Sequence, residues 1–127
     1  MATAPGYRTN PKHHIVEARV TQPVAVAIDD VVVADSKDVV RVDEDGCPAR
    51  YYFPRPDVRM DLLERTPTVT RCPFKGSANY FTLNVAGKKL SDALWSYEDP
   101  YEEHAGLKGR VAFYLEKFPE LELRLRQ

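Results

Sequence analysis

Apolar and polar residues alternate along short stretches of the chain, with the two-residue period that is typical of half-buried β-strands. In residues 79–85, Phe81, Leu83 and Val85 fall on one face of a strand, and the polar residues between them fall on the other. Two runs rich in β-branched residues in the segment 24–36 flank a pair of aspartates, which predicts a hairpin. The pattern therefore indicates β-structure in both halves of the chain.

Turn-forming residues separate these stretches. Pro54 and Pro56 cannot donate a hydrogen bond to a neighbouring strand, so we expect the chain to leave the sheet there. The segment 58–64 has room for one helical turn, and residues 110–115 alternate as a strand, with a helix as the alternative. The sequence predicts an all-β fold of about seven or eight short strands with little helix, as a sandwich, barrel or folded sheet.

A chain of 127 residues is expected to form a single domain. We divide it into an extended N-terminal leader at residues 1–13, an all-β domain at 14–118 and a C-terminal tail at 119–127. The tail is open to three interpretations: a frayed end, a helix, or a strand. As a strand it could pair antiparallel with a second copy of the chain about Leu123, which makes a homodimer a candidate assembly.

The composition and net charge of the chain limit the kinds of partner and the cellular location that we expect. Hydrophobic residues make up 43% and charged residues 29%, which is ordinary for a globular protein, and the net charge of −1 gives no reason to expect a nucleic-acid partner. No apolar run is long enough for a membrane span, and no apolar segment of a signal peptide is present, so we expect a cytoplasmic protein. The two cysteines, Cys47 and Cys72, are expected to be reduced thiols.

Four segments resemble, in order and spacing, the family known as domain of unknown function 427. They are YYFPRPDVRMDLLE, TRCPFKGSANYF, ALWSYEDP and VAFYLEKF, and the similarity runs from about His14 to Phe118. The resemblance implies a small all-β domain of the Mss4-like, or β-tent, kind, and such proteins have been loosely labelled nucleotidyltransferase-like. Other β-tent proteins hold zinc between two CxxC knuckles, which this chain lacks, so neither a metal nor another cofactor is expected.

Aromatic and charged residues gather at the predicted strand ends, beside turns. Tyrosine and tryptophan offer an apolar face and a polar group, which suits a pocket for a flat or sugar-like molecule. The candidate ligand-binding residues are Tyr51, Tyr52, Arg55, Asp57, Lys75, Tyr80, Trp95 and Tyr97. Cys72 and Glu98 are the candidates for any catalysis. The favoured function is recognition of a small polar or anionic molecule, with nucleotide-like molecules among the candidates.

Each candidate also has a structural interpretation. Cys72 is either a packed residue at the base of a loop or a thiol activated by Lys75, three positions further on. Glu98 is expected to form an ion pair with Arg55 or Lys75 that holds two loops together. The alternative functions are a protein-interaction module without catalysis and a thiol-dependent enzyme that uses Cys72.

Overall fold

Ten β-strands in two antiparallel sheets form the described part of the chain, residues 2–126 of a computed structural model. The strands are β1 Ile15–Arg19, β2 Val24–Ile28, β3 Val31–Ser36, β4 Val40–Glu44, β5 Arg50–Phe53, β6 Leu63–Cys72, β7 Gly76–Val85, β8 Lys88–Ser96, β9 Val111–Phe113 and β10 Glu122–Leu125. The helical segments are α1 Gly6–Thr9 and three short 3₁₀ segments, Arg55–Asp57, Met60–Leu62 and Glu102–Leu107. None of these helical segments is long and apolar enough to cross a membrane.

The larger sheet has seven strands in the order β1-β4-β5-β9-β8-β7-β6, and the smaller sheet has the order β10-β2-β3. The all-β prediction is confirmed, with more strands than the seven or eight expected. One addition is β6, whose sequence LERTPTVTRC lacks a regular alternation of apolar and polar residues and so does not predict a strand. This edge strand keeps much of its surface exposed. Residues 111–113 form a strand and not a helix.

Two hairpin turns each place two successive residues in left-handed backbone. Asp29 and Asp30 join β2 to β3 with φ angles of 47° and 65°, and Ala86 and Gly87 join β7 to β8 with φ angles of 54° and 74°. Two successive residues with positive φ make the turn whose twist matches that of the flanking strands. The hairpin predicted around the aspartate pair is therefore confirmed.

The larger sheet carries a hydrophobic cluster on each of its faces. On one face Phe53 and Leu83 pack with Val26 and Val33 of the smaller sheet, so this inner core lies between the two sheets. On the opposite face a second cluster gathers around Tyr52, Trp95, Tyr97, Leu107 and Ala112, and we call this side the aromatic face. Successive residues of a strand point to opposite faces of the sheet, so Tyr52 and Phe53 of β5 belong to different clusters.

The N-terminal segment is not the extended leader that was expected at residues 1–13. Met1 lies outside the described residues. Gly6–Thr9 forms α1, and the Gly6 N–H donates to the Pro73 carbonyl at 2.8 Å. The Ala4 N–H donates to Oε1 of Glu103 at 2.8 Å, and Ala4 is buried. Two backbone anchors and buried contacts thus hold the segment against the domain.

The C-terminal tail is a strand of this chain. β10 pairs antiparallel with β2, with Leu123 opposite Val26 and Leu125 opposite Val24. Leu121 is buried and belongs to the inner core, which explains why the segment neither frays nor forms a helix. Gln127 lies outside the described residues.

Candidate functional site

The larger sheet divides the ten candidate site residues into two groups on opposite faces. Six candidates lie on the aromatic face, either within its cluster, packed against it or in its cleft: Tyr52, Cys72, Lys75, Tyr80, Trp95 and Tyr97. The other four do not reach the cleft: Tyr51, Arg55, Asp57 and Glu98. The structure therefore brings together only part of the predicted set.

The cleft on the aromatic face is a cavity of about 150 Å³. It is lined by Glu44, Cys47, Arg50, Lys75, Tyr80, Trp95, Tyr97 and Tyr114. Four rings, two cations, one carboxylate and one thiol thus converge on one small space. Wider depressions of 230 to 290 Å³ occur elsewhere on the described surface, but these lack a comparable set of rings beside a buried charge.

A buried ion pair forms one wall of the cleft. Lys75 lies in the turn between β6 and β7, and its Nζ donates to Oε1 of Glu44 at 2.6 Å, with the two side chains only 8% and 12% exposed. The other carboxylate oxygen of Glu44 contacts Nε2 of His13 at 2.9 Å. The ring of His13 stacks on Phe74 at 4.3 Å between centroids, so the second partner of the carboxylate is held in place.

Opposing effects set the pKa values of this pair. Burial alone would raise the pKa of Glu44, but the hydrogen bonds from Lys75 and His13 outweigh it and hold the pKa below its ordinary value. Burial likewise disfavours the charged form of Lys75, but the hydrogen bond and charge of Glu44 outweigh burial and raise the pKa of Lys75 above its ordinary value. Both groups are therefore charged at neutral pH.

The aromatic wall is organised around Trp95. Its indole Nε1 donates to the Tyr52 hydroxyl at 3.1 Å, and its ring meets that of Tyr114 edge-on at 5.4 Å. β9 lies between β5 and β8, and Ala112 is opposite both Tyr52 and Trp95 in its neighbouring strands. Because Ala112 is small, the two large side chains meet over it. The position of β9 in the sheet thus brings Tyr52 and Trp95 together.

Cations lie against these rings. The Arg50 guanidinium carbon is 5.0 Å from the centroid of the Trp95 ring and 5.6 Å from that of Tyr114. Its Nη1 donates to Glu116 at 2.5 Å. The Lys75 ammonium is 5.7 Å from the centre of the Tyr97 ring. Such contacts hold each cation at a defined place in the lining of the cleft.

Two tyrosines of this face are strongly desolvated. Burial raises the pKa of both Tyr52 and Tyr97, so both phenols stay protonated at neutral pH. The Tyr97 hydroxyl makes no hydrogen bond within residues 2–126, and it is not a fully enclosed atom. Tyr97 lines the cleft, so its phenol is a candidate hydrogen-bonding group for a ligand there.

The two cysteines differ in exposure. Cys72 ends β6, is partly buried and packs against the aromatic cluster. Cys47 follows the turn after β4, is exposed and lines the cleft. The thiol that sequence reasoning favoured for chemistry is thus the less accessible of the two.

Arg55 and Glu98 form an ion pair on the other face of the sheet, as the sequence predicted. Nη2 of Arg55 donates to Oε2 of Glu98 at 2.7 Å, and Nε of Arg55 donates to the Gly109 carbonyl at 2.7 Å. Arg65 also donates to Oε2 of Glu98, at 2.5 Å. Partial burial would raise the pKa of Glu98, but hydrogen bonds from Arg65 and Arg55 lower it. This cluster ties the loop after β5 to the end of β8.

Tyr51 and Asp57 have structural partners away from the cleft. The Tyr51 hydroxyl accepts from Nη1 of Arg41 at 3.3 Å, and its ring belongs to the inner core. Asp57 accepts from the Ser36 hydroxyl at 2.6 Å, which joins the 3₁₀ segment Arg55–Asp57 to the end of β3. Neither residue faces the rings of the cleft.

The candidate site residues do not include four residues of the lining, Glu44, Cys47, Arg50 and Tyr114, although Tyr114 is one of the aromatic residues at the predicted strand ends. Arg50 could have been found, because it is two positions before Tyr52 in a strand and so shares its face. Tyr114 lies in the fourth of the matched segments, VAFYLEKF. Glu44 carried no such signal, because its contact with Lys75 joins residues 31 positions apart in the sequence.

The fold and the site together define a small antiparallel β-sheet domain with a cleft of aromatic and charged residues on one face of its larger sheet. The chain belongs to the family described as Domain of unknown function (DUF427), whose model matches residues 17–123. A comparison with curated proteins found no match. The finer assignment as Mss4-like, or β-tent, stays a prediction.

Proposed function

We propose that the cleft on the aromatic face binds a small polar or anionic molecule, with nucleotide-like molecules among the candidates. The observation that carries this proposal is the convergence of Arg50 and Lys75 with four aromatic rings on one cavity of about 150 Å³. Ligand sites commonly combine apolar or aromatic walls with a few fixed polar groups, as this cleft does.

Unused hydrogen-bonding capacity supports a polar ligand. Arg50 uses Nη1 for Glu116, and within residues 2–126 its Nε and Nη2 make no hydrogen bond. Lys75 has three N–H donors, of which Glu44 takes one, and the Tyr97 hydroxyl is also available. Glu44 and Glu116 balance the two cations, so the unused N–H donors, and not a net charge, support an anionic ligand.

The size of the cavity limits what it holds. A cavity of about 150 Å³ is of the order that accommodates a single benzene-sized ring. A base or another flat ring would lie against Trp95 and Tyr114, and the rest of a larger ligand would extend outside. The proposal does not include a reaction.

Trp95 provides a direct test, because it is the single tryptophan of the chain and lines the cleft. Nucleoside monophosphates, sugar phosphates and aromatic carboxylates would be titrated while tryptophan fluorescence and the melting temperature are recorded. We expect at least one class to change the fluorescence and to raise the melting temperature. A ligand at about 100 times its Kd adds about 2.7 kcal/mol to the free energy of unfolding.

A matched pair of variants gives the test its specificity. Arg50→Gln removes a cation from the cleft, and Arg55→Gln removes one from the opposite face. Binding should weaken strongly in the first variant and stay unchanged in the second. If no compound class alters Trp95, or if both variants weaken binding equally, the ligand-binding proposal fails.

The protein-interaction alternative requires aromatic side chains on an open surface. Tyr52, Trp95 and Tyr97 are only 0%, 7% and 6% exposed, which favours a ligand of small size over a flat protein surface. A cytoplasmic location is part of the proposal and is supported by two cysteines that are free thiols.

A further inference from the structure

β10 has a neighbour on one side only. It pairs with β2 and forms one edge of the smaller sheet. The Arg126 N–H donates to the Pro23 carbonyl at 2.9 Å, so the peptide groups of residues 122, 124 and 126 point towards β2. By alternation, the peptide groups of Leu123 and Leu125 point away from β2 along the open edge.

The side chains of this strand are charged on one face and apolar on the other. Glu122 and Arg124 lie on the outer face, 65% and 36% exposed, and they form an ion pair at 3.1 Å within the strand. Leu121 and Leu123 pack against the inner core, and Leu125 is 48% exposed. The exposed leucine borders a depression that Val20 and Tyr51 also line.

The order of charges makes the strand complementary to itself. In an antiparallel pair of β10 strands with a twofold axis at Leu123, Glu122 lies opposite the partner's Arg124. Glu120 lies in the turn that precedes β10, so the charge complementarity rests on Glu122 and Arg124. Opposite charges directly across an antiparallel pair stabilise it, and like charges destabilise it.

We propose that two copies of this chain associate through their β10 strands, antiparallel about a twofold axis at Leu123. Leu123 and its counterpart exchange two backbone hydrogen bonds, and each Leu125 N–H donates to the partner's Leu121 carbonyl. The Leu121 N–H already donates to the Phe118 carbonyl at 3.0 Å, so four intermolecular backbone bonds form. The smaller sheets join into one continuous sheet, and the partner strand covers the exposed Leu125.

Two of the other three sheet edges, β3 and β6, are less suited to such pairing. β6 contains Pro67, and its pairing with β7 is interrupted between Arg65 and Val69. Proline and local irregularity are common protections of an edge strand. β3 is joined on its outer side to Val58 through an isolated bridge at Ala34. β10, in contrast to these two strands, combines regular backbone with a self-complementary pattern of charge.

Sedimentation of the full chain from low micromolar to several hundred micromolar tests the proposal. Because the contact is one short strand, we expect a reversible, concentration-dependent dimer. Glu122→Arg places two arginines opposite each other across the strand pair, and Arg124→Glu places two glutamates opposite each other. Each single change should weaken dimerisation by about tenfold or more, since it converts two opposite-charge pairs into like-charge pairs.

Combining the two charge-reversal variants tests the predicted cross-strand pairs more directly than either variant alone. An equimolar mixture of the two single variants should form a heterodimer, because every charge pair is then opposite. The double variant Glu122→Arg with Arg124→Glu should dimerise as the native chain does. Arg59 and Asp61 form a similar exposed pair away from β10, so Arg59→Glu and Asp61→Arg are controls with the same changes in net charge.

Three results would overturn the proposal. One is a native chain that stays monomeric at several hundred micromolar. Another is a mixture of single variants that shows no heterodimer although both variants fold, as judged by circular dichroism. The third is an effect of the control variants on dimerisation equal to that of the β10 variants.

Discussion

At the scale of single residues, the ion pair of Lys75 and Glu44 is the more buried of the two ion pairs that hold the cations of the cleft. Both side chains are nearly inaccessible to solvent, and the carboxylate also contacts His13. A buried charge that loses its partner is far more destabilising than an exposed one, because its desolvation is no longer compensated. The pair therefore positions the ammonium of Lys75 in the cleft and makes that position sensitive to substitution.

Glu44→Gln should lower the free energy of unfolding by about 3 kcal/mol at neutral pH, since it leaves the Lys75 charge buried without a counterion. The pKa of Glu44 is lower in the folded chain than in the unfolded chain, so its charge stabilises the fold above about pH 4. This contribution is lost as the pH falls through the folded pKa. The difference between native chain and variant should therefore shrink below about pH 4 in urea titrations.

The control for this prediction is Asp61→Asn, which removes a carboxylate from an exposed pair with Arg59. It should have little effect at any pH. A Glu44→Gln variant that is as stable as the native chain at neutral pH would contradict the assigned role of the ion pair.

The two thiols should react with iodoacetamide at different rates. Cys47 is exposed and should be modified in the folded chain, whereas Cys72 is partly buried and should react slowly until the chain is unfolded. Mass spectrometry of Cys47→Ser and Cys72→Ser variants, each with one remaining thiol, measures the two rates separately. Rapid modification of Cys72 that is lost in Lys75→Ala would instead indicate an activated thiolate and favour the thiol-enzyme alternative.

At the scale of elements, the N-terminal segment is fixed through a chain of polar contacts. The Tyr7 hydroxyl contacts Nε2 of His104 at 2.7 Å, and Nδ1 of His104 contacts Oε2 of Glu17 at 2.5 Å. His104 is only 3% exposed, so each ring nitrogen depends on its partner. The ring of Tyr7 also packs edge-on against Phe74 at 4.9 Å, in the loop that carries Lys75.

Tyr7→Phe should cost about 1 to 3 kcal/mol, because it leaves a nitrogen of the buried His104 without its hydrogen bond. The loosened segment should be cleaved faster by trypsin at Arg8, which is exposed. Tyr101→Phe is the control, because the hydroxyl of Tyr101 makes no hydrogen bond within residues 2–126. Equal cleavage rates for native chain and Tyr7→Phe would show that the contact does not hold the segment.

The strands show which features of the fold can be predicted from the sequence and which cannot. Phe81, Leu83 and Val85 alternate, and all three are buried on the predicted face because a strand with one buried face leaves that signature. The placement of Trp95 beside Tyr52 could not be predicted, because it depends on β9 lying between β5 and β8. Periodicity fixes the face on which a side chain lies, but the order of strands decides its neighbours.

Because strand order cannot be predicted from periodicity, the predicted site residues turn out to lie on both faces of the larger sheet. Residue type alone places both Tyr51 and Tyr52 in the cleft, although adjacent residues of a strand point to opposite faces. Glu98 is expected to pair with Arg55 or Lys75, and it pairs with Arg55, at 2.7 Å. The pairing was predictable because both residues lie at strand ends near turns, but the face on which they meet was not.

At the scale of the whole molecule, the larger sheet joins the two hydrophobic clusters into one structure. β5 supplies Phe53 to the inner core and Tyr52 to the aromatic cluster, and β9 supplies Val111 and Ala112 to the same two sides. Because the same backbone carries both sides, neither cluster can lose its packing while the other keeps its own. The chain should therefore unfold as one cooperative unit.

Urea unfolding followed by two probes tests this cooperativity. Trp95 fluorescence reports on the aromatic cluster, and far-ultraviolet circular dichroism reports on the strands of both sheets. The two transitions should have the same midpoint, and Val26→Ala in the inner core should move both midpoints by the same amount, since Val26 is 1% exposed and packs between the sheets. A fluorescence transition at lower urea than the dichroism, or one that Val26→Ala leaves in place, would mean that the cleft opens independently of the inner core. Local opening of that kind would place the low-stability part of the molecule at its proposed binding site.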